Sequence, residues 1–542
     1  MTRAPESEII ERITTAIGEP LLNFILNATV NSAPIGQLSE KQISTLRDLD
    51  GVLTYEYPQD YDQQTVRNLL RLHLTDTSKD GNPLANRLHL AHGGSLPEAR
   101  EDGSLDAIIS ALATDAFPAF LLPAEEPLRE FGRSESVYVS ASIIRHSRAA
   151  EFKAAIMTDP LFSAVFVEED PADPAANLYR STFRGGRVQS SLLPSIILRN
   201  AWHSGSDHPT SAAELCRRSL DMLQLMRTAL AGESVTVKAY QALAGVHLPP
   251  GTRWTAGEGV VVREATERDR ERAPESLKRQ LTGSDAAGIM TVINYDGDIV
   301  VEFDYPYTVK AVPPSPDGSQ HVLDELSSDA LKQVTNRLRL SLLIAVQREN
   351  RKLQLAPSWQ YYEDLFDGGD SLLWNDSTRA IGLTPAQLTE TELAAWREWY
   401  ELLDNPNIQH IELALSRVMR AVSERRDPSD VLIDSVIAWE NLFGSKEGEP
   451  TLRVTASLAL LLTDSPQDRR KLRTKLGKIY ALRSDVVHGS SALNEAAEYA
   501  YCYEALEIAL RALRVLLRDR PDVLAQRTGT ERSLHLIVGP AQ

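Results

Sequence analysis

The strongest constraint on this chain is the unbroken helical patterning of residues 387–520. Apolar positions recur there at three- and four-residue spacing, and such stripes are hidden only when helices pack on one another. Four helices are legible in the second half of the span. The first, DPSDVLIDSVIAWENLFG, begins at Asp427 or Ser429 and stops at Gly444. Its stripe reads Ile433, Val436, Ile437 and, one turn on, Glu440. The second carries Pro450 in its first turn and runs through LRVTASLALLL. The third has a capping-box-like start at Ser465-Pro466-Gln467-Asp468 and aligns Leu472, Leu476, Ile479, Arg483, Val486 and Val487. The fourth, 493–518, aligns Tyr499, Cys502, Leu506, Ala509, Leu513 and Leu516. These features predict an antiparallel bundle within a helical domain at 387–520, followed by a tail at 521–542.

Upstream the pattern is mixed. Residues 1–130 read as short helices broken by turn clusters such as Asp80-Gly81-Asn82-Pro83. SVYVSASII (136–144) and FSAVFVEED (162–170) carry the β-branched and aromatic residues of strands. A helix is expected at 210–231, capped by Thr210 or Ser211, with Leu215, Leu220, Leu223 and Met226 inside. A second strand-rich patch covers 259–267 and 289–307, where Asp296-Gly297 predicts a hairpin. The Pro-rich stretch 311–319, a long helix over 328–354 and a linker at 356–386 follow. The linker contains DGGDSLLWND. The fold class is therefore α+β: a mixed region at 1–355, divisible near 130–150, then an all-α bundle.

Composition excludes several classes. With 75 acids against 57 bases the net charge is −18, which rules out a uniformly basic nucleic-acid binder but not a local basic patch. Two cysteines, Cys216 and Cys502, exclude a disulfide scaffold and a cysteine-paired zinc cluster, and they fit a reducing cytoplasm. The longest apolar runs, such as Leu458 to Leu462, fall short of the roughly 18–20 residues that span a bilayer. The start of the chain reads as a capped amphipathic helix, not a signal peptide. A soluble cytoplasmic protein without a membrane partner is expected. Phosphate-loop, dinucleotide, HExxH and GxSxG motifs are absent, so no cofactor or metal is expected. In WHSGSDH, His203, Asp207 and His208 look like a ligand set, but a capping turn before the helix at 210 explains them better. Arg180, Arg184 and Arg187 around Gly185-Gly186 read as a solvated loop before an anion site.

Two residues break the bundle pattern. Arg483 and Glu440 fall on core-facing lines, where a charge is expensive unless it is paired. The third helix is also locally basic. Arg469, Arg470, Lys471, Arg473, Lys475, Lys478 and Arg483 face only two acids between Asp464 and Arg483. This is the one segment of an acidic chain that a polyanion can approach without strong repulsion, and Arg469, Arg470, Arg473 and Lys478 are its expected contacts.

DVLIDSVIAWENLFG…RVTASLALLL…RRKLRTKLGKIYALRSDVVHG resembles the C-terminal HEPN domain of the ApeA-like family. The match rests on the acid in WENL, the alanine- and leucine-rich second helix, and the aromatic Tyr480 ahead of RSDVVHG. It covers about one fifth of the chain and does not extend to residues 1–385. The resemblance implies a helical bundle that usually dimerises and a metal-independent endoribonuclease acting on RNA, tRNA included, in anti-phage defence or stress. Its Arg-x(4–6)-His motif falls on Arg483 and His488. Arg67 with His73 and Arg87 with His92 share the spacing without the context. Ser484 stands where many members carry asparagine; it and Asp485, Glu440 and Tyr480 are the expected supporting residues. Two alternatives stay open: a non-catalytic dimerisation module with an internal Arg483–Glu440 ion pair, and an enzyme site at the His203/His208 turn.

Overall fold

The computed structural model describes residues 6–30, 38–57, 61–98, 100, 102–123, 137–168, 178–181, 187–205, 207–273, 281–284, 290–293, 297–311, 322–324, 329–348, 353–366, 370–373, 385–425, 427–445, 450–488 and 496–539. Within them the architecture is α+β. The N-terminal part holds α1 (Glu6–Ile17), α2 (Glu19–Leu26), α3 (Glu40–Thr54), α4 (Gln63–Thr75), α5 (Leu84–Ala91) and α6 (Leu105–Phe120). It continues with α7 (Val137–Ile144), α8 (Ala149–Thr158), α9 (Leu193–His203) and α10 (Ala212–Leu230). Side-chain caps fix several starts: Ser39, Ser104 and Ser211 each accept a hydrogen bond from a backbone N–H three residues on. The cap of α10 is thus Ser211. Helix α6 is apolar around most of its circumference, and it is accordingly the buried axis on which α7, α8 and α10 pack.

The first expected strand is a helix. In α7 the buried residues are Tyr138, Val139, Ser142 and Ile143, a helical stripe rather than an alternation. Burial against α6 outweighs the strand preference of the valines and isoleucines. In 162–170, only Val167–Glu168 is extended among the described residues, while Phe162, Val165 and Phe166 are buried in the turn before it.

Six strands form one antiparallel sheet: β1 (Val235–Ala244), β2 (Arg253–Gly257), β3 (Val260–Glu264), β4 (Ile299–Tyr307), β5 (Ala356–Tyr362) and β6 (Asp370–Leu373), in the order β6-β5-β1-β4-β3-β2. Val235, Val237, Ala239 and Leu243 of β1 share one face with Val301, Phe303 and Tyr305 of β4 and join the N-terminal core. On the opposite face Tyr240, Val300, Trp359 and Tyr361 pack around Ala273, which follows α11 (Glu267–Arg272).

The expected hairpin at Asp296-Gly297 is not formed with β4. That strand is flanked by β1 and β3, and Met290–Ile293 pairs instead with Leu281–Ser284. Gly297 has another purpose. Its φ is +97°, and a Cβ there would lie 2.8 Å from Ala242 Cβ. The expected linker also carries structure, since β5 lies between β1 and β6 with Trp359 fully buried. The sequence hides this because the strand is buried on both faces and shows no alternation.

Helix α12 (Asp329–Ala345) is shorter than expected. With α13 (Glu390–Leu402) it belongs to two cores at once. Leu331, Leu338 and Leu342 of α12 and Leu393, Trp396 and Tyr400 of α13 pack into the N-terminal core. Leu340, Leu343 and Ile344, with Trp399 and Leu403, pack into the C-terminal one. The latter is built from α14 (Glu412–Ser423), α15 (Pro428–Phe443), α16 (Pro450–Leu462), α17 (Pro466–Val487) and α18 (Ala496–Arg514), which a π-turn, Val515–Asp519, extends. Asp427 caps α15, Gly444 ends it, and Ser465 caps α17.

The expected tail is part of this bundle. Residues Pro521–Leu524 form α19, and α20 (Gly529–Val538) packs on α15 and α16. Its Arg532 is 1% exposed and donates to the carbonyls of Asn441, Leu442 and Gln526, each at 2.8 Å. Two of these are among the last carbonyls of α15, which no intrahelical N–H can satisfy. Among the described residues no helix is long and apolar enough to cross a membrane. Replacing Arg532 by methionine keeps the volume but strands these carbonyls. The bundle is expected to lose about 2–4 kcal/mol, read by urea denaturation; an unchanged midpoint would show that the cap is dispensable.

Candidate functional site

The WENL segment divides its four side chains by role. Trp439 and Leu442 are fully buried in the bundle. The Asn441 side-chain oxygen accepts from the Ala414 N–H at 3.2 Å, satisfying a donor in the first turn of α14. Glu440 turns outward towards α17. The core face of α15 therefore differs from the expected stripe: Leu432, Ser435, Val436, Trp439, Leu442 and Phe443 are buried, while Ile433, Ile437 and Glu440 lie at its flank.

Helix α17 offers two side chains to Glu440, one turn apart. The Tyr480 hydroxyl donates to one carboxylate oxygen, and Arg483 Nη2 lies 3.7 Å from the other. That separation is an ion pair without a hydrogen bond. The side chains are 24% exposed for Arg483 and 31% for Glu440, so the pair borders solvent. Arg483 Nε is buried, with no hydrogen-bond partner among the described residues. The Tyr480 phenol is pushed up to about 12, first by burial and then by the hydrogen bond to Glu440 and its charge.

His488 is the C-terminal cap of α17. It is exposed, and its N–H donates to the Ser484 carbonyl at 3.0 Å. Ser484 is half-buried and Asp485 exposed. Arg483 thus shares Glu440 with Tyr480 and is not joined to His488, in keeping with the roughly 140° turned over five helical residues. Of the basic residues, Arg470, Lys471, Arg473, Lys475 and Lys478 are exposed. Arg469 folds back, its Nε donating to the Thr463 carbonyl at 3.1 Å just past α16. Lys475 pairs with Glu504 on α18. Gly489 lies outside the described residues. Val487, Tyr499 and Tyr503 are exposed near this end of the bundle; Val487 and Tyr499 were expected on core lines.

The buried ion centre of the bundle is a different one. Asp434 on α15 is 1% exposed and accepts from Arg417 Nη1 and Arg425 Nε, both at 2.7 Å. Its helical spacing with Val431, Ser435 and Ala438, all buried, is the sequence signal that places it inside.

Elsewhere, His208 stacks on Trp202 at 4.6 Å, and its ring approaches His203 at 5.8 Å. Among the described residues no three His, Cys, Asp or Glu side chains are grouped to hold a metal. The side chains of Arg180 and Arg187, and all of Arg184, lie outside what is described. Comparison of the chain with protein families, with curated proteins and with solved structures finds no match.

Two outcomes follow. Arg483→Ala should cost no more than about 1 kcal/mol of stability, as for other solvent-bordering pairs. Asp434→Ala should cost more, about 1.5–3 kcal/mol, because it removes a buried carboxylate and the two charge-assisted hydrogen bonds it accepts, although Arg417 and Arg425 themselves border solvent; denaturation of both variants gives the ranking, and equal costs would refute it. The Tyr480 phenol should titrate with a midpoint near 12 and return towards the ordinary tyrosine range in Glu440→Gln. Since the folded value is raised, the native state holds the proton longer than the unfolded chain. The stabilising contribution is complete below about pH 10 and is lost as pH rises towards 12. Phenolate absorbance, compared with that of Tyr480→Phe, isolates the group.

Proposed function

We propose that the C-terminal bundle is a metal-independent endoribonuclease of the HEPN type, with Arg483 and His488 as its catalytic residues. The observation that supports this best is the state of Arg483. Its guanidinium borders solvent, and its Nη2 lies beyond hydrogen-bond range of Glu440. A forked cation with donors to spare suits a phosphoryl group. The basic face of α17 and the exposed imidazole at its end are in keeping with the same reading.

In this mechanism His488 takes the proton from a ribose 2′-hydroxyl as the oxygen attacks the adjacent phosphorus. Arg483 stabilises the charge that gathers on the phosphoryl oxygens. The bond to the 5′-oxygen breaks, that oxygen is protonated, and the products are a 2′,3′-cyclic phosphate and a free 5′-hydroxyl. Glu440 and Tyr480 orient the arginine. Because one helix aims Arg483 and His488 in different directions, a homodimer in which two motifs share a cleft completes the site. The N-terminal region then senses a trigger or restrains the nuclease, in a cytoplasmic defence or stress role.

A second reading has one observation in its favour, the Arg483–Glu440 pair itself. In that reading the pair is structural and the bundle serves assembly. The decisive experiment incubates the full chain with total RNA in excess EDTA. Wild type should yield fragments ending in 2′,3′-cyclic phosphate. Arg483→Ala and His488→Ala should remain folded and lose at least about a hundredfold in rate. Cleavage indistinguishable between wild type and both variants rejects the nuclease reading, and an unfolded Arg483→Ala favours the structural one.

A further inference from the structure

Helices α3 and α4 are flanked by an exposed group of three tyrosines. Tyr55 is the C-terminal cap of α3, and Asp62, the cap of α4, accepts from the Thr65 N–H at 2.7 Å. After α3 the Tyr57 N–H donates to the Tyr55 carbonyl at 3.1 Å, a three-residue turn centred on Glu56. The rings touch in series. Tyr55 meets Tyr57 edge-on at 4.9 Å between centroids, and Tyr57 meets Tyr61 at 5.7 Å. Tyr55 is 66% exposed and Tyr61 46%, while Tyr57 between them is half-buried. Val52, one turn before Tyr55 on the same face of α3, is exposed as well. A contiguous apolar patch rimmed by polar groups is a mark of an interaction surface.

The charge around the rings narrows what they can take. Between Arg47 and Arg67 the sequence carries Asp48, Asp50, Glu56, Asp60 and Asp62 and no base. Arg12 is tied to Asp50 at 2.7 Å, whereas Asp48, Glu56 and Asp62 are exposed. A phosphate or nucleic acid is repelled by such a surface, and a cation is drawn to it. Tyrosine faces also attract cations lying within about 6 Å of the ring centroid. Ring spacing then separates two kinds of cation. A compact ammonium is best held between facing rings, whose centroids must be roughly 7 Å apart, twice a contact distance of about 3.5 Å. These rings are closer than that and form a shelf instead of a cage. A planar guanidinium stacks on an open ring face and needs no cage. We propose that the Tyr55–Tyr57–Tyr61 shelf docks an arginine-bearing basic segment of a partner protein, its guanidiniums laid on the rings and its charge balanced by the exposed acids around them. The surface belongs to the N-terminal region and does not depend on the nuclease reading.

The test titrates the full chain by calorimetry with the peptide GRGRGRG and with its lysine counterpart GKGKGKG. The arginine peptide should bind saturably at one site, at least about threefold more tightly than the lysine one. Tyr55→Ala alone should weaken it about threefold, and Tyr55→Ala combined with Tyr61→Ala about tenfold. Both side chains are well exposed, so the thermal midpoint should stay in place. Tyr55→Phe with Tyr61→Phe should keep the affinity within about twofold, because the ring and not the hydroxyl makes the contact. Absence of saturable binding overturns the proposal, as does equal affinity for the two peptides. Binding that ignores the double alanine substitution reports general attraction to an acidic chain and overturns it too. So does self-association of the wild type that the double substitution abolishes, since the occupant is then a second copy.

Discussion

Two helices buried on both flanks hold this molecule together. Most helices of a soluble domain hide one stripe and show the other to water. Helices α12 and α13 have two apolar stripes, one for each core. Trp396 and Trp399, three residues apart, enter different cores, and the Trp396 indole donates to Ser341 on α12 at 2.9 Å. Arg337 of α12 lies over the Tyr400 ring at 3.9 Å and donates to the Tyr400 carbonyl. Separating the regions would expose both stripes, at about 25 cal/mol for each Å² of apolar surface. The bundle is consequently anchored to the sheet-bearing region by side chains that neither core can spare.

Charge placement within the bundle follows the same economy. Arg532 is buried with no carboxylate paired to it among the described residues, and its guanidinium is held below the ordinary arginine value by burial, at about 10. Backbone carbonyls at the end of α15 accept its protons, where the helix dipole is negative. The fit is close: a Cβ on Gly529 would sit 2.8 Å from the Gly444 carbonyl oxygen. Asp434 is the mirror case, a buried carboxylate held by two arginines. Both devices fix α15, the helix that carries Glu440.

The helical part was legible because its signals are local. Asp427, Gly444, Pro450 and Ser465 mark their boundaries through capping chemistry that acts within one turn. The same logic gave α10 its Ser211 cap. What failed depends on distant partners. Residues 137–144 have strand-like composition, yet a neighbouring helix decides their state. Ala356–Tyr362 joins a sheet whose next strand lies more than a hundred residues earlier. On α15 the sequence pointed to Glu440 as the inward charge, where Asp434 takes that place. Six positions separate the two acids, about 120° around the helix, enough to place one in the core and the other at its flank.

That exchange bears directly on chemistry. An acid such as Asp434, enclosed with two guanidiniums at 2.7 Å, cannot give them up without stranding charge in the interior. Glu440 borders solvent, and its arginine lies 3.7 Å away. Solvent screening leaves such a pair worth about 1 kcal/mol or less. Under the proposed function a phosphate approaching Arg483 would displace a weak competitor at small cost, while the Tyr480 hydroxyl keeps the carboxylate in place. In the proposed ribonuclease, Glu440 holds the arginine ready by binding it loosely, and the firm electrostatics are confined to Asp434 and Arg532 beneath.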